Sequence, residues 1–206
     1  MDHAPGQFQF LRPHGRGIIA EEHPFSIASS PAPDGQIRVT VKESGDFTST
    51  IGRVESGDLA TVHGPFGRFS HVFHPSNDLV FIAGGIGITP FMSMLRYMRD
   101  RRDTRRVLLV YANRTPADIV FRGELESMES GDFPTLKTIH ILSEPTPDWV
   151  GHAGRLDLSS LEGFCGGFSG KTFFLCCPPT MTAGLIRGLR KAGVGLGRIH
   201  TDYFGL

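Results

Sequence analysis

Cysteine is scarce in this chain, with three in 206 residues: Cys165, Cys176 and Cys177, two of them adjacent. That is no disulfide framework, and the usage fits a reducing compartment. Net charge is also lacking, because 21 Lys and Arg offset 21 Asp and Glu. No long-range field therefore draws the chain to nucleic acid or to an anionic membrane surface. The local exception is the cluster Arg99, Arg101, Arg102, Arg105 and Arg106. It reads as the solvated C-terminal end of a helix, where cations complement the macrodipole. No run of about 18 apolar residues occurs. The stretch Met1-Asp2-His3-Ala4-Pro5 has neither the charged nor the apolar region of a signal peptide. Together these absences predict a soluble, cytoplasmic polypeptide without internal repeats or low-complexity tracts.

The length exceeds the usual single-domain mode and predicts two domains, and the patterning changes near His74-Pro75-Ser76-Asn77. Residues 1–75 carry short alternating segments: Gln7 to Leu11, Phe25 to Ala28, Ile37 to Lys42 and Leu59 to Val62, with a hairpin signal at Asp34-Gly35. Such alternation predicts a small antiparallel sheet or barrel. Residues 76–206 instead show continuous apolar runs, Leu79 to Ala83, Val107 to Tyr111 and Thr172 to Cys176, with a mixed version from Leu136 to Leu142. Runs of this kind suit parallel strands buried on both faces. Between them, Phe91, Met94, Leu95 and Met98 share one helical face, as do Met181, Leu185 and Leu189, and Thr115-Pro116 predicts the start of a helix reaching Met128. The expected fold class is thus α/β plus β, an antiparallel barrel followed by a doubly wound parallel sheet.

Four motifs carry chemistry. Gly84-Gly85-Ile86-Gly87-Ile88-Thr89-Pro90 links a buried strand to an amphipathic helix. Glycines there let backbone N–H groups approach a pyrophosphate at a helix N-terminus, or simply permit close packing of strand on helix. Cys176-Cys177-Pro178-Pro179-Thr180-Met181 stands at the carboxyl end of another buried strand, the edge at which open parallel sheets bind ligands. Two small buried residues before a Pro-started helix is the plainer account, and too few ligands stand near the pair for a metal site. His23-Pro24-Phe25-Ser26 offers an aromatic ring beside a hydroxyl, suited to a flat heteroaromatic cofactor, or a Pro-turn with a core Phe. Grouped with this third motif, Gly45-Asp46-Phe47-Thr48 offers a second phosphate cradle at a helix start, and Val41 and Lys42 just before it are further cofactor-binding candidates. The fourth motif is the strand-like Ile199-His200-Thr201-Asp202-Tyr203-Phe204, ending in a carboxylate and aromatics. His71 and His74 read as part of a solvated loop, and Trp149 as a loop aromatic covering the sheet edge.

The order of these motifs resembles the ferredoxin–NADP reductase superfamily over nearly the whole chain. His23-Pro24-Phe25-Ser26 is similar to its flavin motif, in the form found in ferric reductases and NADPH oxidases. Gly45 to Thr48 matches the flavin-pyrophosphate segment, and Gly64-Pro65-Phe66-Gly67 the turn leaving the barrel. Gly84 to Pro90 matches the pyridine-nucleotide pyrophosphate loop, and Tyr111-Ala112-Asn113-Arg114-Thr115 the loop meeting the adenosine ribose. Cys176 falls on the family's cysteine near the nicotinamide, with Pro178 and Met181 in the same motif, and Asp202 and Phe204 on its terminal Glu-x-Phe. Three departures stand out: Cys177 replaces Gly, Asp202 replaces Glu, and about two barrel strands that the family places before Gly6 are absent, giving a shortened FAD-binding barrel.

The resemblance implies an NAD(P)H-dependent flavin oxidoreductase that transfers electrons through FAD to a one-electron acceptor such as a haem domain or ferric chelate. Ser26, Cys176 and Asp202 would be its catalytic residues. The expected context is the dehydrogenase module of a ferric-reductase-like protein with a membrane-embedded haem domain elsewhere. The alternatives are a soluble oxygenase reductase, which would normally add an iron–sulfur domain, or a non-catalytic NAD(P)-binding module that has lost flavin. Arg114 suits a 2′-phosphate and tilts the coenzyme toward NADPH over NADH, whereas Asp118 nearby pulls the other way.

Overall fold

The structure is a computed structural model that describes residues 2–31 and 35–202. It divides into two compact units, one of Met1–Phe73 with Thr89–Tyr97, the other of His74–Ile88 with Met98–Leu206.

The first unit is built on an antiparallel sheet of three strands, β1 (Phe8–His14), β2 (His23–Ser26) and β3 (Leu59–Phe66), in the order β2-β1-β3. Phe8, Phe10 and Phe66 cluster on it, with the Phe8–Phe10 and Phe10–Phe66 rings in edge contact at 5.9 and 5.8 Å, the geometry that aromatic quadrupoles favour. Pro24 sits in a strand that pairs with β1 alone, so its missing N–H breaks no ladder. The strand expected from Ile37 to Lys42 does not form. The Ala28 N–H donates to the Arg38 carbonyl at 2.8 Å, but the Arg38 N–H goes to the Ser29 hydroxyl at 3.1 Å. A side chain has thus taken a donor that a ladder would need. The expected turn at Gly64 to Gly67 begins three residues late, since Gly64, Pro65 and Phe66 remain within β3.

Helix α1 (Thr89–Asp100) supplies the rest of this unit with its residues Thr89–Tyr97. Residues 89–95 are buried on every side, as expected of a helix apolar all round. Two polar side chains of the helix find carbonyls: Ser93 Oγ donates to Ser29 O and Arg96 Nη1 to Ala28 O, each at 2.6 Å. At its C-terminus the Asp103 N–H donates to Met98 O and the Arg102 N–H to Arg99 O, with Arg102 at φ +51°. This is a Schellman end made with arginine where glycine is usual.

The second unit is a parallel sheet in the order β7-β6-β5-β4-β8-β9. Its strands are β4 (Asp78–Gly84), β5 (Arg106–Asn113), β6 (Thr135–Leu142), β7 (His152–Ala153), β8 (Thr172–Cys176) and β9 (Ile199–Thr201). The chain runs outward from β4 to one side and then returns to β8 on the other, so the connections reverse between β4 and β8. Ligands of doubly wound sheets bind at the carboxyl ends beside such a reversal. Helices α2 (Arg122–Glu129), α3 (Leu158–Cys165) and α4 (Pro179–Lys191) complete the unit. Val80, Ile82, Val110, Phe173 and Leu175 form one sheet face of a core that includes Leu161 of α3 and Leu185 and Leu189 of α4. Asp157 caps α3 by accepting from the Ser160 N–H at 2.8 Å, which satisfies a first-turn donor.

Two further expectations are corrected. The helix from Thr115 to Met128 is broken: a 3-10 turn covers Pro116–Asp118 and α2 begins only at Arg122, because Phe121 adopts a left-handed conformation at φ +62°. Asp118 Oδ2 accepts from both the N–H and the hydroxyl of Thr115, which closes a local turn in place of a longer helix. His71 and His74 are not a solvated loop. His71 is fully buried in a 3-10 turn, and the His74 ring stacks on His200 at 3.6 Å. Burial first, and His74 second, push His200 down to about 4.

Candidate functional site

In the first unit the flavin-motif residues lie on β2 and beside it. The His23 and Phe47 rings stack at 4.0 Å, and Phe25 lies near-parallel to Phe47 at 6.2 Å. Glu21 Oε2 lies 3.0 Å from His23 Nε2. Ser26 is 3% exposed, and its hydroxyl has no hydrogen-bond partner among the described residues. A buried hydroxyl without a partner is costly, and buried polar groups without one call for an explanation. The Gly45 to Thr48 segment turns through Gly45 at φ +114°, with open space where a Cβ would stand. The Thr48 hydroxyl accepts from the Ser44 N–H at 2.7 Å and donates to Gly45 O at 3.3 Å. The segment then continues as a 3-10 helix, Thr48–Arg53. Val41 is part-buried and Lys42 exposed in the extended chain before it. Phe47 falls inside the Gly45 to Thr48 motif, but its role as the ring partner of His23 is visible only in the structure.

The second unit brings the nucleotide-motif residues to one sheet edge. Gly84 ends β4 and is level with Ala112 of β5, while Ala83 is level with Cys176 of β8. The three glycines of the loop serve different needs. A Cβ on Gly84 would stand 2.6 Å from Pro178 Cδ, and one on Gly87 only 2.0 Å from the Cys176 carbonyl oxygen. Both are therefore packing glycines. Gly85 is at φ +53° and a Cβ there would meet nothing within 4 Å, so it alone combines a glycine conformation with open space. The loop passes through a 3-10 turn, Gly85–Ile88, directly into the Thr89 and Pro90 start of α1. Ile86 is part-buried, while Ile88, Thr89 and Pro90 are buried.

Asn113, at the end of β5, is 8% exposed, and its amide lies against the Tyr111 hydroxyl without a well-formed hydrogen bond among the described residues. Its neighbour Arg114 is exposed and pairs with Glu144 Oε2 at 3.2 Å. Tyr111, on the same face as Asn113, is fully buried, and burial pushes its phenol up to about 12. Pro178 is exposed at the start of α4, and Met181 packs against the core beneath it.

Cys176 is fully buried at the end of β8. Burial holds its thiol well above the ordinary cysteine range, with Asp202 and then Cys177 adding to the effect. Asp202 is thus brought close to Cys176, its N–H donating to Leu175 O at 3.0 Å just past β9. Phe204 lies outside the described residues. Cys177, where the family carries glycine, donates from Sγ to Ile82 O at 3.1 Å and is pushed up to about 12, chiefly by burial. Burial likewise raises Cys165 to about 11. A thiol must ionise to attack, so native protein at mildly alkaline pH is expected to resist iodoacetamide and to take up label at all three cysteines only in denaturant. Rapid native labelling, read by mass spectrometry, would contradict the burial of Cys176.

These residues fit the groups that the motifs imply. The Ser26 hydroxyl is an unsatisfied partner for a flavin, Asn113 is one for a nucleotide, and Gly85 leaves the space that a phosphate needs. Among the described residues, no helix is long and apolar enough to cross a membrane and no group of three metal-ligating side chains is assembled.

An FAD-binding domain family matches residues 1–72, and an oxidoreductase NAD-binding domain family matches residues 81–186. The chain is 31% identical over 212 residues to the glycine betaine monooxygenase reductase subunit of Pseudomonas aeruginosa, covering 98% of this chain and 56% of that protein. It therefore spans little more than half the length of that curated relative. It is 29% identical over 210 residues to the sulfhydrogenase 2 subunit gamma of Pyrococcus furiosus, covering 95% of this chain and 70% of that one. The cytochrome b5 reductase domain of Ulva prolifera nitrate reductase shares its fold with a TM-score of 0.81 at 24% identity, over 97% of this chain and 85% of the other. With both matched domains in the expected order and the parallel sheet and glycine loop in place, the chain belongs to the ferredoxin–NADP reductase superfamily.

Proposed function

We propose that the chain is the FAD- and NAD(P)H-binding part of an electron-transfer reductase that serves a separate one-electron acceptor. The observation that carries this reading is the unpartnered Ser26 hydroxyl, buried beside an aromatic stack in the unit that matches an FAD-binding family. FAD, when bound, supplies the conversion of a two-electron donor into single-electron steps. Ser26 would hydrogen-bond the flavin ring, with His23, Pro24 and Phe25 flanking it, while Gly45 and Thr48, preceded by Val41 and Lys42, would face its phosphates. The Gly84 to Pro90 loop would take the dinucleotide pyrophosphate, Asn113 and Arg114 the adenosine ribose, and Cys176, Pro178, Met181 and Asp202 the nicotinamide end. Cys176 stays a neutral thiol in this arrangement, so it shapes and excludes water and performs no nucleophilic step.

The acceptor reading favoured by the relatives is an oxygenase, since the glycine betaine protein is named as a monooxygenase reductase subunit. A ferric-reductase-like context with a membrane haem domain rests on the His23-Pro24-Phe25-Ser26 variant. Titration with FAD, followed by anaerobic addition of NADH or NADPH, tests the common core. Saturable flavin binding and then bleaching are expected. Failure to bind FAD would leave a nucleotide-binding module only.

A further inference from the structure

Arg114 does not stand alone at the sheet edge: one of its donors is already taken. Its Nε donates to Glu144 Oε2 at 3.2 Å, and the backbones beneath hold the two together. The Ser143 N–H donates to Asn113 O at 3.1 Å and the Glu144 N–H to Arg114 O at 2.8 Å, prolonging the β5–β6 ladder past both strand ends. A cation and an anion are thereby fixed side by side at the carboxyl edge of adjacent parallel strands. In doubly wound sheets, the residues just past the second strand, here β5, read the 2′ position of the dinucleotide ribose. A guanidinium alone at that place suits a 2′-phosphate. A carboxylate alone accepts from a 2′-hydroxyl and repels a phosphate.

We propose that Glu144 selects the coenzyme by occupying Arg114, so that this site takes the 2′-hydroxyl of NADH in preference to the 2′-phosphate of NADPH. The proposal rests on the nucleotide reading given above, and it reverses the tilt that Arg114 alone supports. A 2′-phosphate reaching Arg114 must either displace a carboxylate or bind beside it, and in both cases remains near its charge. The Arg114 and Glu144 side chains are 72% and 60% exposed, so separating the pair is cheap. The repulsion that follows is the larger effect, screened by solvent to about tenfold in affinity or less. Asp118, the other acid nearby, is already bonded through Oδ2 to the Thr115 N–H and hydroxyl. Glu144 is therefore the carboxylate that faces the guanidinium.

Calorimetric titration of the full chain with 5′-AMP and with 2′,5′-ADP, neither of which requires flavin or turnover, tests this. Wild-type protein is expected to bind 5′-AMP at least as well as 2′,5′-ADP. Glu144→Gln is expected to tighten 2′,5′-ADP about five- to tenfold and to leave 5′-AMP within about twofold, with the gain shrinking as salt is added. In an Arg114→Gln background the same substitution is expected to give little gain. An unchanged ratio in Glu144→Gln, or an equal gain without Arg114, overturns the proposal. Binding of neither nucleotide overturns the nucleotide reading itself and this proposal with it.

Discussion

Replacing Ser26 with alanine is expected to stabilise the cofactor-free protein while weakening FAD binding. The two effects have opposite signs for one reason. The Ser26 hydroxyl is buried without a partner, and such a group costs about 1–3 kcal/mol relative to one that is satisfied. Alanine removes the oxygen and leaves the packing nearly unchanged, so unfolding by urea without FAD should gain about 1 kcal/mol. With FAD present, the lost hydrogen bond costs about as much, and flavin fluorescence titration should show FAD binding weakened by about tenfold. If Ser26 were an ordinary core serine with a partner, the substitution would destabilise the free protein and leave FAD affinity unmoved. That pairing of results would remove Ser26 from the flavin site.

The glycine loop permits an equally sharp comparison between Gly87→Ala and Gly85→Ala. At Gly87 the new methyl would lie 2.0 Å from the Cys176 carbonyl oxygen and 2.8 Å from its carbon. Both are backbone atoms in a strand paired to β4, so neither can rotate away. Overpacking of this kind costs about 1–3 kcal/mol and sometimes more, and the second unit should unfold at lower denaturant. At Gly85 the methyl meets nothing, and only the left-handed backbone at φ +53° is penalised, by about 1–2 kcal/mol. Gly85→Ala should instead act on binding, because its methyl occupies the space through which a phosphate approaches the backbone. Urea unfolding alongside 5′-AMP titration separates the two. Equal losses of stability and unchanged binding in Gly85→Ala would mean that the loop is glycine-rich for packing alone.

Both units of this fold were legible in the sequence to different depths. The runs Leu79 to Ala83 and Thr172 to Cys176 are buried at every residue, and burial on both faces is what a continuous apolar run encodes. Ile37 to Lys42 alternates just as well, yet forms no strand, because the Ser29 hydroxyl competes for the Arg38 N–H and no periodicity records that. The helix expected through Phe121 fails for a similarly local reason, a left-handed residue followed by a new start at Arg122. In the candidate sites, the glycines were readable but their division of labour was not, since it depends on how closely β8 approaches. Glu144 was hidden altogether: it stands thirty residues from Arg114, and only the register of β5 with β6 brings the two charges together.

Because most of α1 belongs to the first unit, the order of synthesis constrains how the chain acquires its structure. The chain enters the second unit at His74, leaves it at Thr89 and re-enters it at Met98. The carbonyls of Ala28 and Ser29 wait for Arg96 and Ser93, which are synthesised after all of β4. Domains usually fold from the N-terminus as they emerge during synthesis, but here the earlier unit cannot close until a strand of the later one has already left the ribosome. β4, buried from Leu79 to Ala83 once folded, must therefore stay unpaired through that interval, and β5, its first partner, follows only at Arg106. Vectorial synthesis of this protein thus exposes its central strand before either unit is whole.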